Sequence, residues 1–188
     1  MAKTLKWLAI MMALAAATAA MADENCYTAD EESGELRFSG VAEGTPFRGQ
    51  FGQFSVRLCL TDDDLSTSAI EVKVKTGSAD VGNRDGNQAL KDDEFFAVDQ
   101  FPEATWTSQA IEADGDRHVA EGELAIKSVS STQSVTMVLD TDSDPWVLEG
   151  NAEIMRLDWN VGTGEFEDPD FIRDRVDLIF KLELQPES

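Results

Sequence analysis

The sequence predicts an all-β protein, a single antiparallel eight-stranded barrel with one short helical insert. Apolar and polar residues alternate with a period of two in about eight segments, which is typical of strands with one buried face. Turn-forming Gly, Asp and Ser residues separate these segments. Only residues 77–106 break the pattern with helix-like spacing. Eight antiparallel strands closed into a barrel can hold one small ligand inside.

Each predicted strand follows from its own alternation. Leu36 and Phe38 share one face of the first, and Val176 to Leu184 alternate cleanly in the last. Gly49 and Gly52 predict a bulge or a sharp bend of the kind that barrel closure needs. Two segments are predicted to form a hairpin around the polar run at 130–133. About eight strands are predicted within residues 36–39, 47–51, 56–60, 70–75, 119–128, 134–139, 146–158 and 175–184, and residues 104–111 are predicted to form another after the helical insert.

The helical insert lies between two of these strands. Residues 85–96 carry helix formers, with Leu90, Phe95 and Phe96 about one and two turns apart. Phe101 and Pro102 then end the pattern in an extended segment. We therefore predict a short helix that acts as a lid, with its phenylalanine side chains directed into the barrel.

The first 22 residues have the pattern of a secretory signal. Lys3 and Lys6 precede an apolar run at 7–17, and Ala20-Met-Ala22 resembles a cleavage site. The run is short for a membrane span, which needs about 20 residues, so a retained anchor is the less favoured alternative. We predict a signal peptide at 1–22 and one mature domain at 23–188, exported to a bacterial periplasm.

The charge balance is strongly acidic. Removing Lys3 and Lys6 from the 15 basic residues leaves 13 against 37 acidic ones, a net charge of −24. Such a surface repels phosphate backbones, so nucleic-acid binding is excluded. Solubility explains the charge most simply, and docking onto a basic partner is the alternative.

The two cysteines of the predicted mature domain, Cys26 and Cys59, predict one disulfide in an oxidising compartment. The loop between them has 34 residues counting both ends. Redox catalysis is the alternative, but the sequence has no C-x-x-C motif and no histidine nearby.

Motifs for catalysis or for metal binding are missing from the sequence. His118 is the only histidine, and no G-x-S-x-G occurs. The alternate carboxylates at 140–144 resemble a calcium loop, but Pro145 and Asn151 stand where Gly and Glu are needed. With 37 acidic residues, no carboxylate pair is informative on its own. We predict a protein that is not an enzyme and that has no cofactor and no metal.

Four stretches resemble the YceI-like family in the right order. The first reads SADVGN…LKDDEFFAVDQFPEATW and ends at Trp106. The others are FRGQFGQFSVRLCL at 47–60, GELAIKSVSSTQSVTMV at 122–138 and RLDWNVGTGEF…VDLIFKLEL at 156–184. Together the resemblance covers nearly all of residues 27–185. It implies a periplasmic, lipocalin-like barrel that binds a polyisoprenoid, an isoprenoid quinone or a fatty-acyl lipid. The segment at 40–46 is shorter than in many members, which leaves the ligand size open.

Aromatic and aliphatic side chains are the predicted walls of the lipid site, because burial holds an apolar tail without directional bonds. The alternative for each ring is a place in an ordinary core. The predicted site residues are Phe38, Phe47, Phe51, Leu90, Phe95, Phe96, Phe101, Trp106, Trp159 and Phe180. The scarce cations that could hold an anionic head, or form local ion pairs, are Arg84, Lys91, Arg156, Arg173 and Arg175.

A second functional hypothesis needs no lipid. Some members of the family are associated with membrane cytochromes or with stress responses, so the acidic surface could instead dock on a basic or membrane-protein partner. The sequence leaves the oligomeric state open between monomer and dimer.

Overall fold

The computed structural model describes residues 24–61 and 64–187. Within these ranges eleven strands form one antiparallel sheet with a single α-helix, α1 (Arg84–Ala89). The strands are β1 (Glu24–Asp30), β2 (Gly34–Ala42), β3 (Thr45–Phe51), β4 (Phe54–Thr61), β5 (Asp64–Lys75), β6 (Ala79–Asp80), β7 (Glu103–Asp114), β8 (Arg117–Ile126), β9 (Val129–Asp140), β10 (Trp146–Met155) and β11 (Arg175–Pro186).

Eight of these strands close a barrel, which confirms the predicted fold class. Around the ring the order is β1, β4, β5, β7, β8, β9, β10, β11. The ring closes where β1 meets β11, with Tyr27 opposite Pro186 and Thr28 opposite Gln185. Closure removes the free sheet edges that an open eight-stranded sheet would expose.

The remaining strands continue the wall at one end of the barrel. β2 pairs with β11, β3 pairs with β2, and β6 pairs with β3 through Phe51 and Ala79. A 3-10 turn at Thr76–Ser78 joins β5 directly to β6. These three strands therefore fill the wall between β11 and β5 at this end.

The two ends of the barrel differ. The lid (residues 81–101), the β10–β11 connection (the rim loop, residues 156–174) and the β2–β3 and β8–β9 turns lie at one end, the lid end. The end of β4, the start of β5 and the β7–β8 and β9–β10 connections lie at the other, the blind end. There Leu58, Leu60 and Leu184 are completely or almost completely buried, so side chains fill the barrel.

The predicted disulfide is confirmed at the blind end. Cys26 on β1 lies directly opposite Cys59 on β4, with their Cα atoms 4.0 Å apart and the two sulfur atoms bonded. The ring of Tyr27 stacks on that of Trp146 at a centroid distance of 4.8 Å. A disulfide and an aromatic stack therefore stabilise the blind end of the barrel, where the first and last described residues lie.

The predicted helix is shorter than expected. It begins at its N-cap Asn83, whose side chain accepts a hydrogen bond from the Gly86 N–H, and the last helical residue is Ala89. From Asp92 onward the chain forms successive turns, and Ala97 adopts a left-handed φ of 48°. Phe95 and Phe96 consequently lie on turns rather than on a helix.

The predicted hairpin turn at 130–133 is wrong. The turn between β8 and β9 lies at Lys127 and Ser128, where Lys127 has a left-handed φ of 54°. The Ser-Ser-Thr-Gln run has turn-like composition, but these residues pair regularly with β8.

Gly49 is also not at a bulge, since it pairs in register with Phe38. The irregular registers instead lie between Cys59 and Thr61 and between Ser108 and Ala110. The bend expected near Gly52 does occur, between β3 and β4.

The predicted signal segment lies outside the described residues. Within the described ranges, no helix combines the length and the hydropathy that a bilayer crossing requires.

Candidate functional site

The barrel is hollow in the half next to the lid. The cavity measures about 240 Å³, and side chains from all the long strands except β1, together with the lid and the rim loop, line it. Apart from Thr76, Thr105, Gln133 and Arg156, every lining residue is apolar. Eight of the ten predicted site residues lie on this wall: Phe38, Phe47, Phe51, Leu90, Phe95, Phe96, Trp106 and Phe180.

Phe101 and Trp159 do not lie on the cavity wall. Phe101 is where the lid returns to the barrel, and its carbonyl accepts a hydrogen bond from the Thr76 hydroxyl at 2.9 Å. Trp159 is buried in the packed core of the rim loop, and its indole N–H donates to the Leu124 carbonyl at 3.1 Å. Both aromatic residues therefore hold loops in place instead of facing the hollow.

Four inward positions of the wall are glycines, and each lies beneath an aromatic ring of a neighbouring strand. A Cβ atom added to any of them would come within 3.0 Å of a ring carbon, so the rings lean over the space where side chains would be. This keeps the rings against the wall and leaves the centre of the barrel open. The pairs are Gly40 with Phe47, Gly49 with Phe38, Gly122 with Trp106, and Gly150 with Phe180.

Aromatic contacts join the lid to the wall. The ring of Phe96 lies 6.1 Å from that of Phe51, which lies 5.1 Å from Phe38. On the other side Phe95 contacts Phe166 of the rim loop at 4.9 Å. Such pairs contribute about 0.5–1.5 kcal/mol each beyond their buried area. The lid therefore closes the cavity through aromatic contacts on two sides.

Polar contacts also fasten the lid. The Lys127 ammonium donates to the main-chain carbonyls of Asp93 in the lid and Asn160 in the rim loop, both at 2.9 Å. The main-chain N–H groups of Gly162 and Thr163 donate to the Glu94 carbonyl at 2.7 and 2.9 Å. Burial lowers the pKa of Lys127, against the opposing attraction of the two carboxylates at 93 and 94. One lysine thus connects three elements of the lid end.

The start of the lid is anchored by Asp80. Its carboxylate accepts hydrogen bonds from the Gly82 N–H and from the Asn87 side chain, both at 2.8 Å. These two bonds hold the pKa of Asp80 below its usual value. The ionised carboxylate therefore fixes α1 relative to β6.

Arg156 is buried at the lid end of the cavity and organises the rim loop. Its guanidinium donates to five main-chain carbonyls, and burial lowers its pKa. The acceptors are the carbonyls of Val161, Gly162, Phe166, Ile172 and Arg173. A guanidinium has five N–H donors, so none is left for a ligand. Arg156 is a positioning residue of the loop, a role that the sequence analysis missed.

The other candidate cations, Arg84, Lys91, Arg173 and Arg175, do not lie on the cavity wall. Arg175 forms ion pairs with Glu153 and Asp177 at 2.8 and 2.7 Å on the outside of the barrel. The lid and the rim loop together carry 11 acidic residues against 4 basic ones, and one of the four is the saturated Arg156. The rim of the cavity is therefore negative.

In the described part of the chain, one group combines three side chains of metal-ligand type: Cys26, Cys59 and Glu187. The two sulfur atoms are bonded to each other, so neither is a thiolate. This group does not fit a metal ion.

The aliphatic half of the wall was also missed by the sequence analysis, although its signal was present. Alternation already placed these residues on the inward face of their strands. The clearest examples are Val72, Val74, Val135, Ile154 and Leu178.

Comparison with known proteins agrees with this architecture. Residues 27–184 match the model of the YceI-like domain. Protein YceI of Salmonella arizonae is 28% identical over 123 residues, an alignment that covers 61% of this chain and 63% of that protein. The chain thus spans just under two thirds of the length of that relative.

Two solved structures share the fold. BcnA of Burkholderia cenocepacia superposes with a TM-score of 0.78 at 25% identity, covering 84% of this chain and 99% of that one. A polyisoprenoid-binding domain from Saccharophagus degradans superposes with a TM-score of 0.62 at 12% identity, covering 85% and 98%. The family match over almost the whole described barrel is decisive, and the chain belongs to the YceI-like domain family.

Proposed function

We propose that this protein binds a lipid with a long apolar chain and carries or sequesters it with the chain inside the barrel. The observation that carries the proposal is the cavity of about 240 Å³ whose wall is almost entirely apolar. Burying a hydrocarbon there contributes about 25 cal/mol per Å² of apolar surface. The polyisoprenoid-binding neighbour supports the same kind of ligand. We expect a polyisoprenoid, an isoprenoid quinone or a fatty-acyl chain.

The packing of the barrel sets the orientation of such a ligand. The blind end is filled by Leu58, Leu60 and Leu184, so a tail cannot pass through the barrel. A polar head therefore stays at the lid end or at the side of the hollow half. A cavity of about 150 Å³ holds benzene, so the observed volume suits a short chain as it stands. A longer chain requires the half-buried rings of Phe47, Phe51 and Phe96 to move outward.

The proposed location is the periplasm, after removal of residues 1–22. The disulfide supports this proposal, because such bonds persist in oxidising compartments. The proposed role is binding rather than catalysis. This role requires only that the barrel bury an apolar chain.

A second candidate function rests on the negative rim of the lid end. In this alternative, the protein would dock through this rim on a basic partner or a membrane cytochrome, and it would carry no lipid. Attraction between the acidic rim and such a partner weakens as salt increases. A pull-down whose yield collapses with salt would therefore support this alternative.

Native mass spectrometry of the full chain purified from its host tests the lipid proposal. We expect a co-purified lipid mass that is lost after delipidation and regained on incubation with a host lipid extract. Ala152→Phe, at a buried position on the cavity wall, should abolish retention. Ala113→Phe, at an exposed strand position, is the matched control and should retain the lipid. Wild-type protein that neither carries nor takes up lipid would refute the proposal.

A further inference from the structure

One section of the barrel wall lacks main-chain pairing. The β9–β10 ladder extends from Asp140 opposite Val147 to Thr136 opposite Asn151, and it stops there. From that point toward the lid end, the ladder between β9 and β10 does not continue through residues 129–135 and 152–155. In the same section β9 stays paired with β8, and β10 stays paired with β11. We call this section the seam. It borders the hollow half of the barrel, since Val135, Ala152 and Ile154 line the cavity.

One side chain bridges the seam. Gln133, which pairs with Gly122 in the β8–β9 ladder, accepts a hydrogen bond at its main-chain carbonyl from the Trp106 indole N–H at 3.1 Å. The Gln133 carboxamide donates across the seam to the Glu153 carbonyl at 3.0 Å and to the Ser134 carbonyl at 2.8 Å. A flexible side chain therefore bridges two strands that elsewhere are joined by main-chain bonds.

Gln133 has hydrogen-bonding capacity that Thr76 and Arg156, two other polar residues on the cavity wall, do not offer. The Thr76 hydroxyl donates to the Phe101 carbonyl, and all five N–H groups of Arg156 are occupied. No residue in the described ranges donates to the carboxamide oxygen of Gln133. Gln133 lines the cavity and is only partly buried.

The segment of β9 around Gln133 carries no charge, and the charged residues that flank it on the neighbouring strands are the acidic Glu121, Glu123 and Glu153. Residues 129–136 read Val-Ser-Ser-Thr-Gln-Ser-Val-Thr, eight residues without an ionisable side chain in a chain that is 28% charged. The lid end, by contrast, is acidic and offers no free cation that faces the cavity. A head that is held here meets hydroxyl and amide groups, which suit neutral hydrogen-bonding partners.

We propose that the seam is a head-group subsite at which Gln133 binds the neutral polar head of the lipid. A hydroxyl head donates to the carboxamide oxygen. A carbonyl or amide head accepts from the carboxamide N–H that otherwise bonds to Glu153. The apolar tail then passes between β9 and β10 into the hollow half. This inference rests on the proposed lipid binding and names its class of ligand: an uncharged alcohol, ketone, quinone or amide, not a carboxylate or phosphate.

Four ten-carbon probes test the subsite on the delipidated full-length protein: decane, decan-1-ol, decanamide and decanoate. Calorimetric titration should show decanol and decanamide binding more tightly than decane, and decanoate binding most weakly because of the acidic surface. Gln133→Ala should weaken decanol and decanamide by about threefold to tenfold, the effect of one hydrogen bond, and leave decane unchanged. Gln109→Ala, at an exposed strand position, is the matched control and should change none of the affinities.

Nuclear magnetic resonance of the wild-type protein gives a second readout. This measurement does not depend on whether the Gln133→Ala variant folds. The side-chain amide signals of Gln133 should shift with decanol and decanamide but not with decane. Equal affinities of decane and decanol, or binding of decanol without a shift at Gln133, would overturn the subsite while leaving lipid binding intact. Failure of every probe to bind would overturn the proposed function and the subsite together.

Discussion

The indole of Trp106 on β7 reaches the main-chain carbonyl of Gln133 on β9, although β8 lies between the two strands. The ring can cross β8 because Gly122 provides no side chain beneath it. Gln133 also pairs with Gly122 in the β8–β9 ladder, so the indole adds a second contact to that residue from β7. The same tryptophan therefore lines the cavity and links β7 to β9 across β8.

Gly40→Ala should shorten the longest chain that the barrel accepts. The three nearest atoms to the new methyl group all belong to the Phe47 ring, so the ring must swing into the cavity. Because the ring moves into empty space, we expect a stability cost of about 1 kcal/mol or less. Native mass spectrometry with fatty alcohols of increasing length measures the limit. Gly52→Ala, whose methyl group would meet only Ser78 at 3.7 Å, is the control. An unchanged length limit would show that Phe47 does not set the cavity size.

Lys127→Met should loosen the lid. The substitution removes both hydrogen bonds that connect the lid to the rim loop through this side chain. We expect hydrogen exchange of the lid amides to accelerate by about tenfold, together with faster ligand release. Lys73→Met, at an exposed position of β5, is the control. If the lid amides of both variants exchange at the wild-type rate, Lys127 does not fasten the lid.

The same lysine predicts a pH dependence. Its pKa is lowered in the folded protein, so on raising the pH the folded chain releases this proton before the unfolded chain does. The part of the stability that comes from this pKa shift is therefore complete only above 10.5, the ordinary pKa of this side chain, and is lost as the pH falls through the folded value. Urea unfolding of wild type and Lys127→Met across this range measures the difference. A stability difference that does not vary with pH would contradict this assignment.

Arg156→Lys should destabilise the protein although it keeps the charge. A lysine has three donors, so at least two of the five carbonyls around the guanidinium lose their partner. We expect a loss of at least about 2 kcal/mol in the free energy of unfolding. Arg37→Lys, an exposed ion-pair partner of Glu35, should change it by less than about 0.5 kcal/mol. Equal stability of the two variants would show that the carbonyl cage contributes little.

Removing the disulfide with Cys26→Ser and Cys59→Ala should lower stability by up to about 4 kcal/mol, the chain-entropy limit for a loop of this length. The seven paired positions between β1 and β4 should keep the native topology. Urea unfolding with far-ultraviolet circular dichroism measures both effects. Reduced wild-type protein should match the variant, and an unchanged urea midpoint would contradict the expectation.

The strands and most of the cavity wall could be predicted because a period of two assigns each side chain to one face. The inward positions of Phe38, Phe47 and Phe180 follow from local alternation alone. The polar run at 130–133 was misplaced because its composition resembles a turn, whereas Ser and Thr are equally suited to the outer face of a strand.

Other features depend on residues far apart in the chain. The positions of Phe47 over Gly40 and of Phe180 over Gly150 depend on the register between neighbouring strands. This register cannot be read from the sequence. The carbonyl cage of Arg156 forms only when the rim loop folds back over 17 residues. Phe101 and Trp159 carry the same apolar signal as the wall rings, so composition alone could not separate loop anchors from wall residues.

Glu24 and Glu187, the first and last described residues, emerge beside the disulfide, at the pole opposite the lid. A tether or fusion partner joined to Glu24 or Glu187 would therefore attach at the blind end, and the lid end would point away from the attachment site. Immobilised in this way, the protein would present its opening to whatever donates or accepts the cargo.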